Sequence, residues 1–159
     1  MKLDRTDAKI LREVQYNARL SSEQLSERVH LSPTAVQRRL KRLRESGVIE
    51  AEVAVLKPKA VGRHISMFVH VMLERERADI IDRFKQAIRG TTEVMFGYHV
   101  TGETDFVLLV TAASMEDFEL FTRRFLYELP EVKTFKTMVV MDRVKAGFAV
   151  PIDPEDFTD

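Results

Sequence analysis

The first 47 residues repeat one pattern three times: a capping residue, then apolar positions three and four apart in a polar background. Asp4 precedes Ile10, Leu11 and Val14, with Leu3 and Ala8 placed to form a hydrophobic staple around the cap. Ser21 and Gln24 have the S-x-x-Q spacing of a capping box, and Leu25 and Val29 follow on one face. Ser32-Pro33 opens the third run, where proline's missing N–H costs nothing at the first helical position. Val36, Leu40 and Leu43 then make a narrow apolar seam, and Gly47 supplies a stop. The pattern predicts helices from Asp4 to about Asn17, over about 21–29 and over about 33–46. The turn at 30–32 makes the last two a helix-turn-helix. At the bend stands His30, one of the few non-glycine residue types that tolerate a positive φ.

After Gly47 the period changes from helical to alternating. Residues 48–56 are rich in β-formers and predict a connecting strand, which Lys57-Pro58-Lys59 breaks. The remainder predicts strand 64–74, helix 78–88, strand 93–101, a turn at 102–104, strand 105–113, helix 115–129 and strand 132–144. The last helix carries Phe118, Phe121, Phe125 and Leu129 on one face and opens with Ser114-x-x-Asp117, a second capping-box spacing. This βαββαβ order is ferredoxin-like: an antiparallel sheet with both helices on one face. Such a sheet should be polar on its open side. Here Phe68 and Met72 lie opposite Met67, Val69 and Val71, and Val107 and Leu109 lie opposite Phe106, Leu108 and Val110. Two apolar faces predict an interface, met most simply by a second copy of the chain.

Charge sharpens the division. The 159 residues carry 25 Lys+Arg and 25 Asp+Glu, so the whole chain is neutral. Residues 1–60 nevertheless hold 13 basic and 8 acidic groups, and residues 61–159 hold 12 and 17. An asymmetry of this kind points to a nucleic-acid partner for the basic half. Arg38, Arg39, Lys41, Arg42 and Arg44 concentrate it in the third helix. A basic run can be a solvated helix face, but this one follows a capped turn and sits opposite a buried seam. Thr34, Gln37, Arg38, Lys41 and Arg42 face outward, and Arg39 sits at the seam edge. Arg pairs with guanine and Gln with adenine in a major groove, while Ser32 and Thr34 suit phosphates or methyl groups. Double-stranded DNA is the expected partner.

Several classes of chemistry are excluded or unsupported. There is no cysteine, so disulfides, thiolate metal sites and cysteine nucleophiles are excluded. The four histidines, His30, His64, His70 and His99, show no zinc-binding spacing, and no phosphate loop or nucleophile elbow occurs. No cofactor or metal is expected. No apolar run approaches membrane-spanning length, and the opening MKLDRTDAK is too charged for a signal peptide, so a cytoplasmic location is expected.

Taken in order, the motifs resemble those of the Lrp/AsnC, or feast/famine, family of transcription regulators. The likeness rests on Leu3-Asp4-x-x-Asp7, Leu31-Ser32-Pro33-Thr34, Arg39, Arg42-Leu43 and Gly47-Val48-Ile49 in the first half. In the second it rests on Val100-Thr101-Gly102-x-x-Asp105-Phe106, Leu129-Pro130-x-Val132 and Val139-Val140-Met141-x-x-Val144-Lys145. His30 replaces the family's usual glycine, and Ala35-Val36-Gln37-Arg38 departs from many members. The resemblance implies an α+β chain in three parts. Residues 1–47 form a winged helix-turn-helix domain, 48–63 a connecting strand and linker, and 64–159 a ferredoxin-like RAM (AsnC-type) domain for effector binding and oligomerisation. It also implies homodimers that assemble into tetramers, octamers or larger rings, and a small effector, usually an amino acid. The effector would sit by the hairpin bearing Tyr98, Thr101, Gly102, Glu103, Thr104 and Asp105. Gly102 would admit a carboxylate to backbone N–H groups, and Asp105 would accept from an ammonium. The same residues also suit a plain hairpin turn.

Two other readings compete. Some proteins of this double architecture act on tetrapyrroles, as the sirohaem decarboxylases do, using His and Arg; here His70 and His99 fall on the first and second strands, which a ferredoxin-like order does not make neighbours, so the two are not expected to form one site. An oligomeric effector sensor without DNA binding would leave the basic helix unexplained.

Overall fold

The computed structural model describes residues 2–75 and 77–158. The chain divides into two compact units: residues 1–54 together with 145–159, and residues 55–144.

The first unit is built on α1 (Arg5–Val14), α2 (Ser22–Val29) and α3 (Pro33–Glu45). Each starts where a side chain satisfies orphan N–H groups. Asp4 and Asp7 exchange backbone hydrogen bonds in a capping box on α1, and Ser21 and Gln24 do the same on α2. Ser32 Oγ accepts the Ala35 N–H at 3.3 Å, with Pro33 at the first helical position. His30 takes the left-handed conformation, φ 56°, and ends α2; Gly47, φ 75°, follows the end of α3. Ile10, Leu25, Val29, Val36, Leu40 and Leu43 close into one buried cluster. By the octanol-type scale, each such side chain contributes about 1.5–3 kcal/mol on burial.

Residues 145–158 complete this unit. From Val150 on they meet α1, with Pro154 buried in a short 3₁₀ turn, Pro154–Asp156. Their inclusion changes the charge reading taken from the sequence. Residues 1–54 carry 11 basic and 8 acidic side chains, while 145–159 add one Lys and four carboxylates. The unit therefore sums to zero, and so does residues 55–144. The imbalance between halves is real along the sequence but is cancelled in the folded unit.

The second unit holds β1 (Ile65–Leu73), α4 (Ala78–Arg89), β2 (Val94–His99), β3 (Phe106–Ala112), α5 (Met115–Thr122) and β4 (Val132–Val139). The sheet is antiparallel in the order β2-β3-β1-β4, as a ferredoxin-like fold requires. Met67, Val69, Val71 and Leu73 of β1 and Phe106, Leu108 and Val110 of β3 point to one side. There they meet Phe84 of α4 and Phe118 and Phe121 of α5. Gly97 lets α4 sit close on β2, since a Cβ there would stand 2.8 Å from Ile88 Cγ2.

Four elements differ from the sequence expectation. Residues 48–56 form no strand, and Val53 is 71 % exposed. Their β-forming composition is a propensity, and a strand needs a partner edge that the described residues do not provide. β4 stops at Val139, because Val140 N–H to Ser66 O is the last rung before β1 runs out. The helix expected over 115–129 becomes α5 and a π-helical turn, Arg123–Tyr127. The wider turn keeps Phe125 and Leu126 together in the core with Phe121. Finally, Asp117 accepts from Ala113 N–H, one residue before the cap, so only the Ser114 half of that box forms.

Candidate nucleic-acid interface and effector hairpin

The basic residues of α3 fall into two groups with different partners. Arg39 Nη1 lies 2.6 Å from Asp4 Oδ2 and 2.7 Å from Asp7 Oδ1, and Arg42 Nη2 lies 2.5 Å from Asp7 Oδ2. Asp7 is fully buried, so both its oxygens are matched by guanidinium N–H groups. Burial pushes the Asp4 carboxyl up. The Arg39 hydrogen bond, the Asp7 N–H and the two guanidinium charges outweigh it, so Asp4 lies below the usual carboxylate range. The Arg39 guanidinium is desolvated by the same packing, yet its two carboxylate partners raise it further. The sequence placed Arg39 at the edge of the apolar seam, among the candidate DNA contacts. The structure places it on α1, where it positions α3 against the capping box. Arg42 shares that task and stays half exposed.

The second group faces solvent. Thr34, Gln37, Arg38 and Lys41 are exposed and fall within about 100° of helical arc, opposite Val36, Leu40 and Leu43. Among the described residues Arg38 has no ion pair or side-chain hydrogen bond, and Lys41 reaches only Glu45 at 3.8 Å. Ser32 is exposed at the N-terminus of the same helix, where free N–H groups attract phosphate. The clamp removes Arg39 from the reading face, ties Arg42 at its edge and fixes the orientation of the rest. The sequence signal for it was the Asp4-x-x-Asp7 spacing, two carboxylates on one turn with no outward role.

In the second unit the hairpin after β2 is tied to the end of β1. Leu73 N–H donates to Asp105 Oδ2 at 2.7 Å, Asp105 N–H to Val71 O at 3.0 Å, and Thr104 Oγ1 to Val71 O at 2.7 Å. Asp105 and Thr104 thus spend polar groups on the hairpin itself. Thr101, Gly102 and Glu103 form an exposed tip, and Gly102 adopts φ 120° with open space around the missing side chain. Tyr98 is 59 % exposed on the open face of the sheet. That face carries the register row Phe96, Leu109, Phe68, Met138 across all four strands.

The two strand histidines do not share a site. His70 pairs with Val107, which pairs with Tyr98, on the open face, whereas His99 stacks on buried Phe106 at 4.8 Å on the helix side. No group of three or more His, Cys, Asp or Glu residues that could hold a metal occurs among the described residues. No helix of the described residues is long and apolar enough to cross a membrane.

Two family models match this chain: a winged helix-turn-helix DNA-binding domain over residues 3–50 and an Lrp/AsnC ligand-binding domain over residues 66–150. The chain belongs to the Lrp/AsnC family. It is 65% identical over 153 residues to an HTH-type transcriptional regulator, y4tD, of Sinorhizobium fredii, covering 96% of this chain and 90% of the relative. It is 34% identical over 143 residues to the leucine-responsive regulatory protein of Escherichia coli, covering 90% and 87%. A transcriptional regulator of Neisseria meningitidis, solved as an L-Met complex, superposes with a TM-score of 0.86 at 34% identity, covering 94% and 97%. This Lrp/AsnC chain is a DNA-binding transcriptional regulator. His70 and His99 stand on opposite faces of the sheet, as their strands' separation in the expected order implied, and the relatives named here carry the names of regulators.

Proposed function

We propose that this Lrp/AsnC regulator reads operator DNA through Thr34, Gln37, Arg38 and Lys41, with Ser32 and Arg42 at phosphates and Arg39 as a positioning residue. The observation that carries this reading is the exposed cationic face of α3, oriented from behind by the Arg39–Asp7 clamp. Exposed Arg38 is free for a bidentate contact with guanine. The double variant Arg38→Ala, Lys41→Ala should lose operator binding in a gel shift while its sedimentation stays that of the parent. Unchanged affinity would remove α3 as the reader.

The effector is an amino acid held at the tip Thr101-Gly102-Glu103, with Tyr98 and the remaining oxygen of Asp105 beside it. Support comes from the L-Met complex of the Neisseria relative and from the open space over Gly102. A thermal-shift screen of the twenty amino acids, beginning with L-Met, tests it, because native-state binding raises the midpoint by mass action. Hits that survive Gly102→Val unchanged would place the ligand elsewhere.

A second copy covers the open sheet face, and the protein works as a homodimer or a larger ring. The apolar row from Phe96 to Met138 is the reason, since an uncovered stripe of this length favours association. A dimer also supplies two reading helices for half-sites about one DNA turn apart.

A further inference from the structure

The helix-turn-helix explains α3 but not why residues 145–158 are packed on α1. Gln15, at the C-terminal end of α1, holds Val150 by two hydrogen bonds, Nε2 to Val150 O at 3.0 Å and Val150 N–H to Oε1 at 2.9 Å. Arg5, at the other end, pairs with Glu155 at 2.7 Å. Val150 is held at the C-terminal end of α1 and Glu155 at its N-terminal end, so the segment runs antiparallel to α1, with Pro154 buried.

The cargo of this segment is acidic. Asp153, Glu155 and Asp156 lie within four residues, and with Asp159 they cancel the basic excess of residues 1–54. Their position also matters. Arg5, which holds Glu155, follows Asp4, and Asp4 grips Arg39 of α3. The acidic end of the segment is thus one residue removed from the clamp on the reading helix. DNA affinity is dominated by phosphate neutralisation, so carboxylates fixed on the same small unit oppose it over a Debye length, and Arg5 is neutralised by one of them.

We propose that residues 145–158 are an autoinhibitory strap that weakens the hold of the helix-turn-helix on DNA, by adding carboxylates to its unit and engaging Arg5 through Glu155. The strap is releasable by construction. Arg5 Nε is buried without a hydrogen-bond partner, so the contact that fixes the acidic end carries an unsatisfied donor. Glu155 itself is largely exposed, which leaves the pair open to competition by phosphate or salt.

The test uses the full chain and a random-sequence 30-base-pair duplex, with binding read by fluorescence anisotropy across a salt series. The triple variant Asp153→Asn, Glu155→Gln, Asp156→Asn should bind about three- to tenfold tighter than the parent at low salt, and the gain should vanish at high salt. Glu155→Gln alone, which frees Arg5, should give part of that gain and covers the case in which the triple variant folds poorly. Unchanged or weaker binding by both variants, with melting and oligomer size as in the parent, overturns the proposal. Arg38→Ala, measured on operator DNA because Arg38 is assigned to a base edge, separates this outcome from the reading of α3. If it weakens operator binding while the strap variants gain nothing, the reader stands and the brake falls. If it has no effect while they gain, the brake stands and the reader falls.

Discussion

Arg39 of α3 and Asp7 of α1 meet at 2.7 Å across 32 residues of sequence, the aspartate fully buried and the arginine mostly so. This pair joins the first helix to the reading helix and separates two arginines that are adjacent in the chain. Arg39 belongs to the fold, and Arg38 belongs to the surface.

The two variants should therefore fail in different assays. Arg39→Ala leaves a buried carboxylate with only Arg42 and should destabilise the domain by roughly 2–4 kcal/mol in urea unfolding. Arg38→Ala should leave the unfolding midpoint unchanged and cost about 1–3 kcal/mol of operator affinity. Equal melting temperatures for the two would contradict the division.

Acid should act through the same clamp. The carboxyl of Asp4 is held below its ordinary value of 3.8 in the folded chain. A depressed folded value means its contribution is present above the unfolded value and lost as pH falls through the folded one. Thermal midpoints should be flat from neutral pH to about pH 5 as far as Asp4 is concerned, then drop below roughly pH 4. Asp4→Asn keeps a capping side chain and should blunt that drop. A parent and variant with parallel acid profiles would show that Asp4 is not the titrating group.

His30 occupies a left-handed position at φ 56°, where a Cβ is strained. His30→Gly should raise stability by about 0.5–1 kcal/mol despite the greater entropy of glycine. A lower midpoint would mean that the imidazole makes a favourable contact that outweighs the strain.

Gly97→Ala would bring a Cβ against the stiff Ile88 side chain and should cost about 1–3 kcal/mol. Ile88→Ala in the same chain should return part of the loss, because it removes the methyl group in the way. Calorimetry of the single and double variants measures the coupling.

Much of this was legible in the sequence because it is local. Asp4, Ser21, Ser32 and Ser114 mark helix starts by short-range hydrogen bonding, and the alternation of Met67 to Leu73 marks the buried face of β1. Long-range pairing was not legible. Nothing in Arg38-Arg39 distinguishes the two until α1 is in place, and no periodicity in 145–158 announces a packing partner more than a hundred residues away. The strand expected over 48–56 misled for the same reason, since composition records a preference for pairing and not the presence of a neighbour. Asp105 was seen as a ligand candidate; its bond to Leu73 N–H depends on β1 lying beside β3.

The way residues 145–158 return to α1 has a consequence for how the molecule comes apart. The exposed segment 51–57 is a natural target for proteases. A single cut there would sever the backbone without freeing the helices, because Gln15 and Arg5 still hold the C-terminal segment of the other fragment. The nicked protein should migrate as two bands under denaturing conditions and elute as one species under native ones. Only a second cut, near Lys145, would let the helical fragment leave.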